Sequence, residues 1–188
     1  MGKSNLLNAL ASGLIDGGLE QSFNFPGYKS HELFVLCGGQ ISSVNEKIAY
    51  EAAWGSSLAG KRSMVTFKNV GLNDAADPFI NSMLVGVNAG LVVVVFDDTD
   101  VEGSQCRLDS RHYFDVYGGL WLEPYDVSTA YSIAYPAFEL SEKFELPIVI
   151  RITSQLTNSR GDYSKRIQRK QDLGFIRNKK QFVVHPVN

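Results

Sequence analysis

A carboxylate at the entrance of a helix, Glu46, is the side chain of this sequence best placed to do chemistry. It stands in Ser43-Val44-Asn45-Glu46-Lys47-Ile48-Ala49-Tyr50-Glu51-Ala52-Ala53, where a polar start gives way to a helical pattern of small residues. A carboxyl in such a place works as an acid or base once burial raises its pKa. The spacing also has a purely structural reading. Ser43 followed three positions later by Glu46 is a capping box, in which hydroxyl and carboxylate satisfy backbone donors reciprocally. Arg111-His112 is a second candidate, since Arg binds carboxylates through two parallel hydrogen bonds. Its alternative is a surface ion pair. Two stretches, Pro26-Gly27 and Lys68 through Gly71 to Asn73, either line a cleft or are plain turns. Asp97-Asp98 suggests a metal, but adjacent acids at a strand end more often stop the strand or cap a helix.

The elements that must position these residues follow from hydrophobic periodicity. A helix is predicted from Asn5 to Ile15, stopped by Gly17-Gly18. A strand follows over Gln21–Phe25, then a short helix over Ser30–Gly38 and a strand over Ile41–Val44. Asn45–Ala59 reads as a helix of small residues, Ser63–Phe67 as a strand, and Leu72–Ala89 as one long helix apolar on most of its circumference. Leu91-Val92-Val93-Val94-Val95-Phe96 does not alternate, which places it inside a parallel sheet with both faces covered. Thr99–Leu108 is a polar loop, Asp109–Tyr117 a helix, and Leu120–Leu122 a short strand. Asp126 caps a helix to Phe144 kinked at Pro136, and Pro147–Thr153 is the last strand. Strands alternating with helices predict an α/β fold, a doubly wound, mainly parallel sheet with helices on both faces. In such sheets ligands bind at the carboxyl ends of the strands. The basic run Ser164–Gln171 and Asn178-Lys179-Lys180 read as a solvated linker or tail.

The 188 residues, 44% hydrophobic and 20% charged, suffice for one good core. A net charge of -2 offers no basic field for nucleic acid or an anionic membrane, and no stretch has the length of a membrane span. Cys37 and Cys106 are far apart and lack metal-ligand spacing, so no zinc or iron–sulfur site is drawn, and a reducing, cytoplasmic setting is expected.

Read in order, Phe25-Pro26-Gly27, Ser30 and Glu32, Asn45-Glu46-Lys47, Lys68 with Val70-Gly71-Leu72-Asn73, and Ala75-Ala76-Asp77-Pro78 form a series. Asp97-Asp98, Ser104-Gln105 with Asp109, Arg111-His112-Tyr113, Glu123-Pro124, Glu139-Leu140-Ser141-Glu142-Lys143-Phe144 and Ser159-Arg160-Gly161 continue it. The series resembles the alpha subunit of indolepyruvate ferredoxin oxidoreductase, at its N-terminal pyrimidine-binding (PYR) domain for thiamine diphosphate. The resemblance runs over nearly the whole chain. It implies a thiamine diphosphate-binding fold of PYR type over residues 1–160 and a linker or tail over 161–188.

Glu46 matches the glutamate that, in thiamine enzymes, hydrogen-bonds N1′ of the cofactor's aminopyrimidine and favours its imino form. On that match it is read as catalytic, and capping geometry can coexist with the role. Pro26, Gly27, Glu46, Lys68, Gly71 and Asn73 are the implied cofactor-binding residues, and Tyr28, Arg111 and His112 the implied substrate-binding ones. The sequence departs from the family at Tyr28-Lys29-Ser30-His31, where a Thr-Pro-Ser-Ser type of segment is usual, and at Asn69, which replaces a usual histidine. It also lacks a Gly-Asp-Gly motif with its following asparagines, and a cysteine cluster. No metal site is therefore assigned to this chain. Magnesium and iron–sulfur clusters are expected on partners, namely a diphosphate-binding (PP) domain or subunit and a ferredoxin-type protein, within a homodimer or hetero-oligomer. The implied activity is oxidative decarboxylation of aryl pyruvates to acyl-CoA with ferredoxin as acceptor. The alternatives are the PYR subunit of a non-oxidative 2-oxoacid decarboxylase of sulfopyruvate type, and a non-catalytic interaction module that keeps the fold.

Overall fold

A run of valines sets the centre of the molecule. In the computed structural model, which describes residues 4–100, 107–171 and 173–183, every residue of Leu91–Asp97 is buried. Up to that strand, β4, the chain forms β1 (Ser4–Asn5), α1 (Leu6–Asp16), β2 (Gln21–Asn24), α2 (Tyr28–Leu36), α3 (Glu46–Leu58), β3 (Ser63–Lys68), α4 (Asn69–Asp74) and α5 (Ala76–Val85). After β4 come α6 (Arg111–Tyr117), β5 (Leu120–Leu122), α7 (Val127–Ala134), α8 (Ala137–Phe144), β6 (Ile148–Thr153), α9 (Ser154–Thr157), β7 (Arg160–Gly161) and α10 (Lys179–Phe182). Five strands pair in the order β2-β3-β4-β6-β5, all parallel, and β1 and β7 form a small antiparallel pair beside them.

The absence of alternation in β4 has the expected cause. Val92, Val94 and Phe96 pack under α1, α2, α7 and α8, while Val93 and Val95 pack under α3, α4, α5 and α6. The doubly wound reading is thus borne out, with a helical layer on each face. Because all five strands run the same way, Asn24, Lys68, Asp97, Leu122 and Thr153 end at one edge of the sheet. At the opposite edge Arg62, 1% exposed, is the clamp. Its guanidinium forks Glu142 at 2.7 Å twice and donates to the Gly17 carbonyl at 2.9 Å, so its buried charge is paired and its donors satisfied.

Three expected elements differ. Ile41–Val44 is not a strand; Ile41 and Val44 are 87% and 81% exposed, and the segment is held by Ser43 N–H donating to the Asn24 carbonyl at 2.8 Å. The single helix over Leu72–Ala89 is two helices meeting at Ala75. Pro78 is the reason, since it has no N–H to offer the Asp74 carbonyl four residues back and its ring collides with that group. The helix also begins earlier, at Asn69, directly after Lys68. The kink at Pro136 is a full break between α7 and α8, and Asp126 caps α7 in a capping box with Thr129. Of the loop Thr99–Leu108, residues 101–106, Cys106 among them, lie outside the described residues.

The α1–α7 crossing is close enough to need glycine. A Cβ on Gly13 would stand 2.8 Å from both Ala134 Cβ and the Tyr131 carbonyl oxygen. Alanine gains about 1 kcal/mol of helix propensity over glycine, but displacing a packed helix costs about 1–3 kcal/mol. Gly13→Ala is therefore expected to destabilise the chain by about 1 kcal/mol in urea denaturation; a more stable variant would show the crossing to be loose.

Candidate functional site

Glu46 opens α3 from the carboxyl edge of the sheet. The residue that caps the helix is Asn45, whose side chain accepts from Ile48 N–H at 2.8 Å, so the Ser43–Glu46 capping box does not form. Ser43 N–H, one of the donors the box would have used, goes to the Asn24 carbonyl instead, and the Glu46 carboxylate is left for other contacts. A second acid also serves this helix end: Asp74, closing α4, accepts from Lys47 N–H at 3.1 Å, and Lys47 Nζ reaches Asp77 at 2.8 Å. The entrance of α3 is thereby tied to the α4–α5 corner.

Gly71 in α4 faces Glu46 so closely that a Cβ there would lie 2.6 Å from both Cγ and Oε1 of the glutamate. Glu46 is half-buried. Burial lifts its carboxyl above the ordinary glutamate range; its own backbone N–H opposes this, Asp74 adds to it, and Lys68 opposes it. Lys68, the last residue of β3, runs along Gly27, where a Cβ would meet its side-chain carbons at 3.2–3.4 Å. Gly27, Lys68, Gly71 and Glu46 are thus one cluster, with exposed Pro26 beside it. The arrangement is a carboxyl disposed to hold a proton, against backbone that carries no side chains.

The other expected residues lie further out. Tyr28 follows Gly27 with φ 45°, a left-handed conformation that costs a non-glycine residue about 1–3 kcal/mol. Its hydroxyl is turned to Thr157 Oγ1 at 3.5 Å. Asn73 accepts from the Tyr113 hydroxyl, which joins α4 to α6. Arg111 grips Asp109 through Nε at 2.8 Å, so in this structure the ion-pair alternative describes it. The Arg111 guanidinium holds the Asp109 carboxyl well below the usual carboxylate range. His112 is exposed on α6, where it borders a shallow depression with Tyr113, Val116 and Tyr117.

A second polar cluster was not assigned from the sequence. Arg151, 3% exposed in β6, donates to the fully buried Asp97 at 2.5 Å and to Glu123 at 2.7 Å. Ser110 donates to Asp97 through both its backbone N–H and its hydroxyl. Asp97 is the strand-ending acid of the pair Asp97-Asp98, and among the described residues no group of three metal-ligating side chains is present. The signal was an arginine inside the apolar stretch Ile148-Val149-Ile150-Arg151-Ile152, because a buried charge demands a partner. Among the described residues no helix is long and apolar enough to cross a membrane.

Gly71→Ala tests the contact directly. The new methyl takes the space of the Glu46 side chain, which must swing out, while global stability changes by less than about 1 kcal/mol. The Glu46 carboxyl, followed by NMR titration, should fall toward the ordinary glutamate range. An unchanged titration would mean that Gly71 does not confine it.

The fold is shared with a solved 2-oxoacid:ferredoxin oxidoreductase. A chain of the 2-oxoglutarate:ferredoxin oxidoreductase from Magnetococcus marinus, solved with 2-oxoglutarate, coenzyme A and succinyl-CoA bound, superposes with a TM-score of 0.74 at 21% identity, covering 90% of this chain and 33% of that chain. By sequence, the chain is related to indolepyruvate oxidoreductase subunit IorA. It is 38% identical over 165 residues to that of Archaeoglobus fulgidus, covering 81% of this chain and 26% of the relative. It is 34% identical over 182 residues to that of Methanothermobacter thermautotrophicus, covering 92% and 29%. The family resemblance read from the sequence is borne out by these relatives, of whose length the chain spans only 26–29%. No family model matches the chain.

Proposed function

We propose that this chain is the pyrimidine-binding part of a thiamine diphosphate-dependent 2-oxoacid:ferredoxin oxidoreductase of indolepyruvate type. The observation that carries the reading is the Glu46 carboxyl, half-buried at the carboxyl edge and pressed against Gly71. The cradle fits the group. A flat heteroaromatic ring needs a proton-sharing carboxyl at its rim and backbone without side chains nearby, and Glu46, Gly71 and Gly27 offer both. When bound, thiamine diphosphate supplies a nucleophilic carbon and an electron sink for decarboxylation.

The chain's own residues position and tune. Burial raises the affinity of the Glu46 carboxyl for a proton, which suits it to share one with the ring. The Lys68 ammonium opposes that rise. Pro26, Gly27, Lys68, Gly71 and Asn73 form the wall for the pyrimidine half. Tyr28, Arg111 and His112 face the substrate side; on this reading Arg111 exchanges Asp109 for the carboxylate of an aryl pyruvate, a trade between two partners of equal charge. Magnesium, the diphosphate and the electron-carrying clusters belong to a PP domain or subunit and to a ferredoxin-type partner, in a cytoplasmic assembly. The relatives are oxidoreductase subunits by name, which favours this reading over the non-oxidative decarboxylase.

The test is reconstitution. Mixed with a PP-type partner, the chain should bind thiamine diphosphate in calorimetric titration, and the mixture should reduce ferredoxin with indolepyruvate and coenzyme A. Cofactor binding without ferredoxin reduction would move the assignment to the decarboxylase. Absence of binding by every such mixture would leave the fold as an interaction module.

A further inference from the structure

The geometry points to residues 163–171 as a docked strap that fastens α1 to α7 and α8 and opens as one unit while the sheet stays folded. Composition alone predicts a solvated basic run here, yet the segment is bonded at successive points to the face of the domain. Tyr163 stacks on Tyr131 with ring centroids 5.0 Å apart, and its hydroxyl bonds Ser12 at 2.8 Å. Arg166 donates its backbone N–H to the Tyr131 hydroxyl at 2.5 Å, and that hydroxyl donates in turn to Asp16 at 2.9 Å. Tyr135 donates to the Ile167 carbonyl at 3.0 Å. The guanidinium carbons of Arg166 and Arg169 approach the Tyr135 ring at 5.1 and 4.1 Å, within cation–π range. Arg169 also donates its N–H to the Asp16 carbonyl at 2.8 Å and pairs with Glu139 at 2.5 Å. Gln171 ends the segment by accepting from the buried Arg62 at 2.6 Å.

These bonds explain the composition of the run. Its two arginines lie on the Tyr135 ring between α7 and α8, Arg169 also pairs with Glu139 of α8, and the backbone donors of both go to Tyr131 and Asp16. The strap has no regular secondary structure and most of its residues are exposed, so its bonds are reachable by water and belong to the low-stability end of the fold. Opening it bares Tyr131 and Tyr135 and removes one partner of Arg62, but leaves the β3–β4–β6 pairing untouched.

Native-state amide exchange tests the strap in the intact chain. The Arg166 and Arg169 amides should exchange at least about 30-fold more slowly than unprotected amides, yet faster than those of Val92–Val95. Tyr163→Ala should speed both strap amides by at least about tenfold and leave the β4 amides unchanged. Arg169→Gln, which keeps the backbone donor, should do the same at Arg166 and serves if the first variant folds poorly. Strap amides that exchange at the unprotected rate in the parent chain would overturn docking. Strap and β4 amides accelerated equally by either variant would overturn the separate opening.

Discussion

Glu46→Gln should lower turnover of the reconstituted assembly by about 10²–10⁴-fold, the range that a positioned acid–base group contributes. The isostere keeps the volume against Gly71 and the Asn45 cap, so the fold and the α3 entrance are unaffected. What is lost is the ability to share a proton. A stability signature accompanies the loss and does not depend on any partner. The folded-state pKa of Glu46 is raised, so between the ordinary glutamate value and the raised one the folded chain binds more protons than the unfolded chain. Stability attached to this group is therefore complete below the ordinary pKa and declines as pH rises through the folded one. Glutamine has no such decline. Scanning calorimetry of parent and variant should give matching melting temperatures near about pH 4 and a variant at least as stable near about pH 8. A parent that gains on the variant as pH rises would contradict the raised pKa, and equal turnover by the two would remove Glu46 from the chemistry.

Arg151→Met carries the largest expected cost in stability, about 3–5 kcal/mol, because it strands the buried Asp97 carboxylate with Ser110 as the remaining donor to it among the described residues. Methionine approximates the length of the arginine stem, so packing alone does not account for a loss of that size. Replacing both partners separates the two effects. Asp97→Asn still accepts from Ser110 and carries no charge, so the double variant with Arg151→Met should recover more than half of the loss, as exchange of a buried ion pair for neutral groups commonly does. The double-mutant cycle, by urea denaturation, reads the coupling directly. A single Arg151→Met cost below about 1 kcal/mol would show that Asp97 is already satisfied by Ser110.

The layered sheet was legible because its signals are local and repeated. Five valines and leucines without alternation at Leu91–Val95 admit only a strand covered on both faces, and helical spacing around it supplies the covers. The errors came where a distant partner or a local breaker overrides the hydrophobic pattern. Ile41–Val44 has strand composition but touches the edge strand β2 only at its end, through Ser43 to Asn24, and leaves Ile41 and Val44 in solvent, while Pro78 outweighs the apolar stripe that surrounds it. At the site, Glu46 was legible as a helix-entrance carboxylate, whereas the cap was placed two positions early, at Ser43, because Ser43 is drawn to the end of β2 by its bond to Asn24 and the helix starts one residue after Asn45. Nothing local to Gly71 announces that it faces Glu46, since the contact joins residues 25 apart through a strand and a helix corner. The Asp97–Arg151 pair is longer-range still, 54 positions apart, and was signalled from one side only.

The parallel direction of all five strands has a practical corollary. The six residues of β3 span roughly 20 Å, so Arg62 and Lys68 sit at opposite rims, and Lys170, near Gln171 and the Arg62 clamp, lies at the rim away from Glu46. A fluorophore, affinity handle or surface linker joined at Lys170 would hold the molecule by its back and present the glutamate outward, leaving that rim open to a second polypeptide.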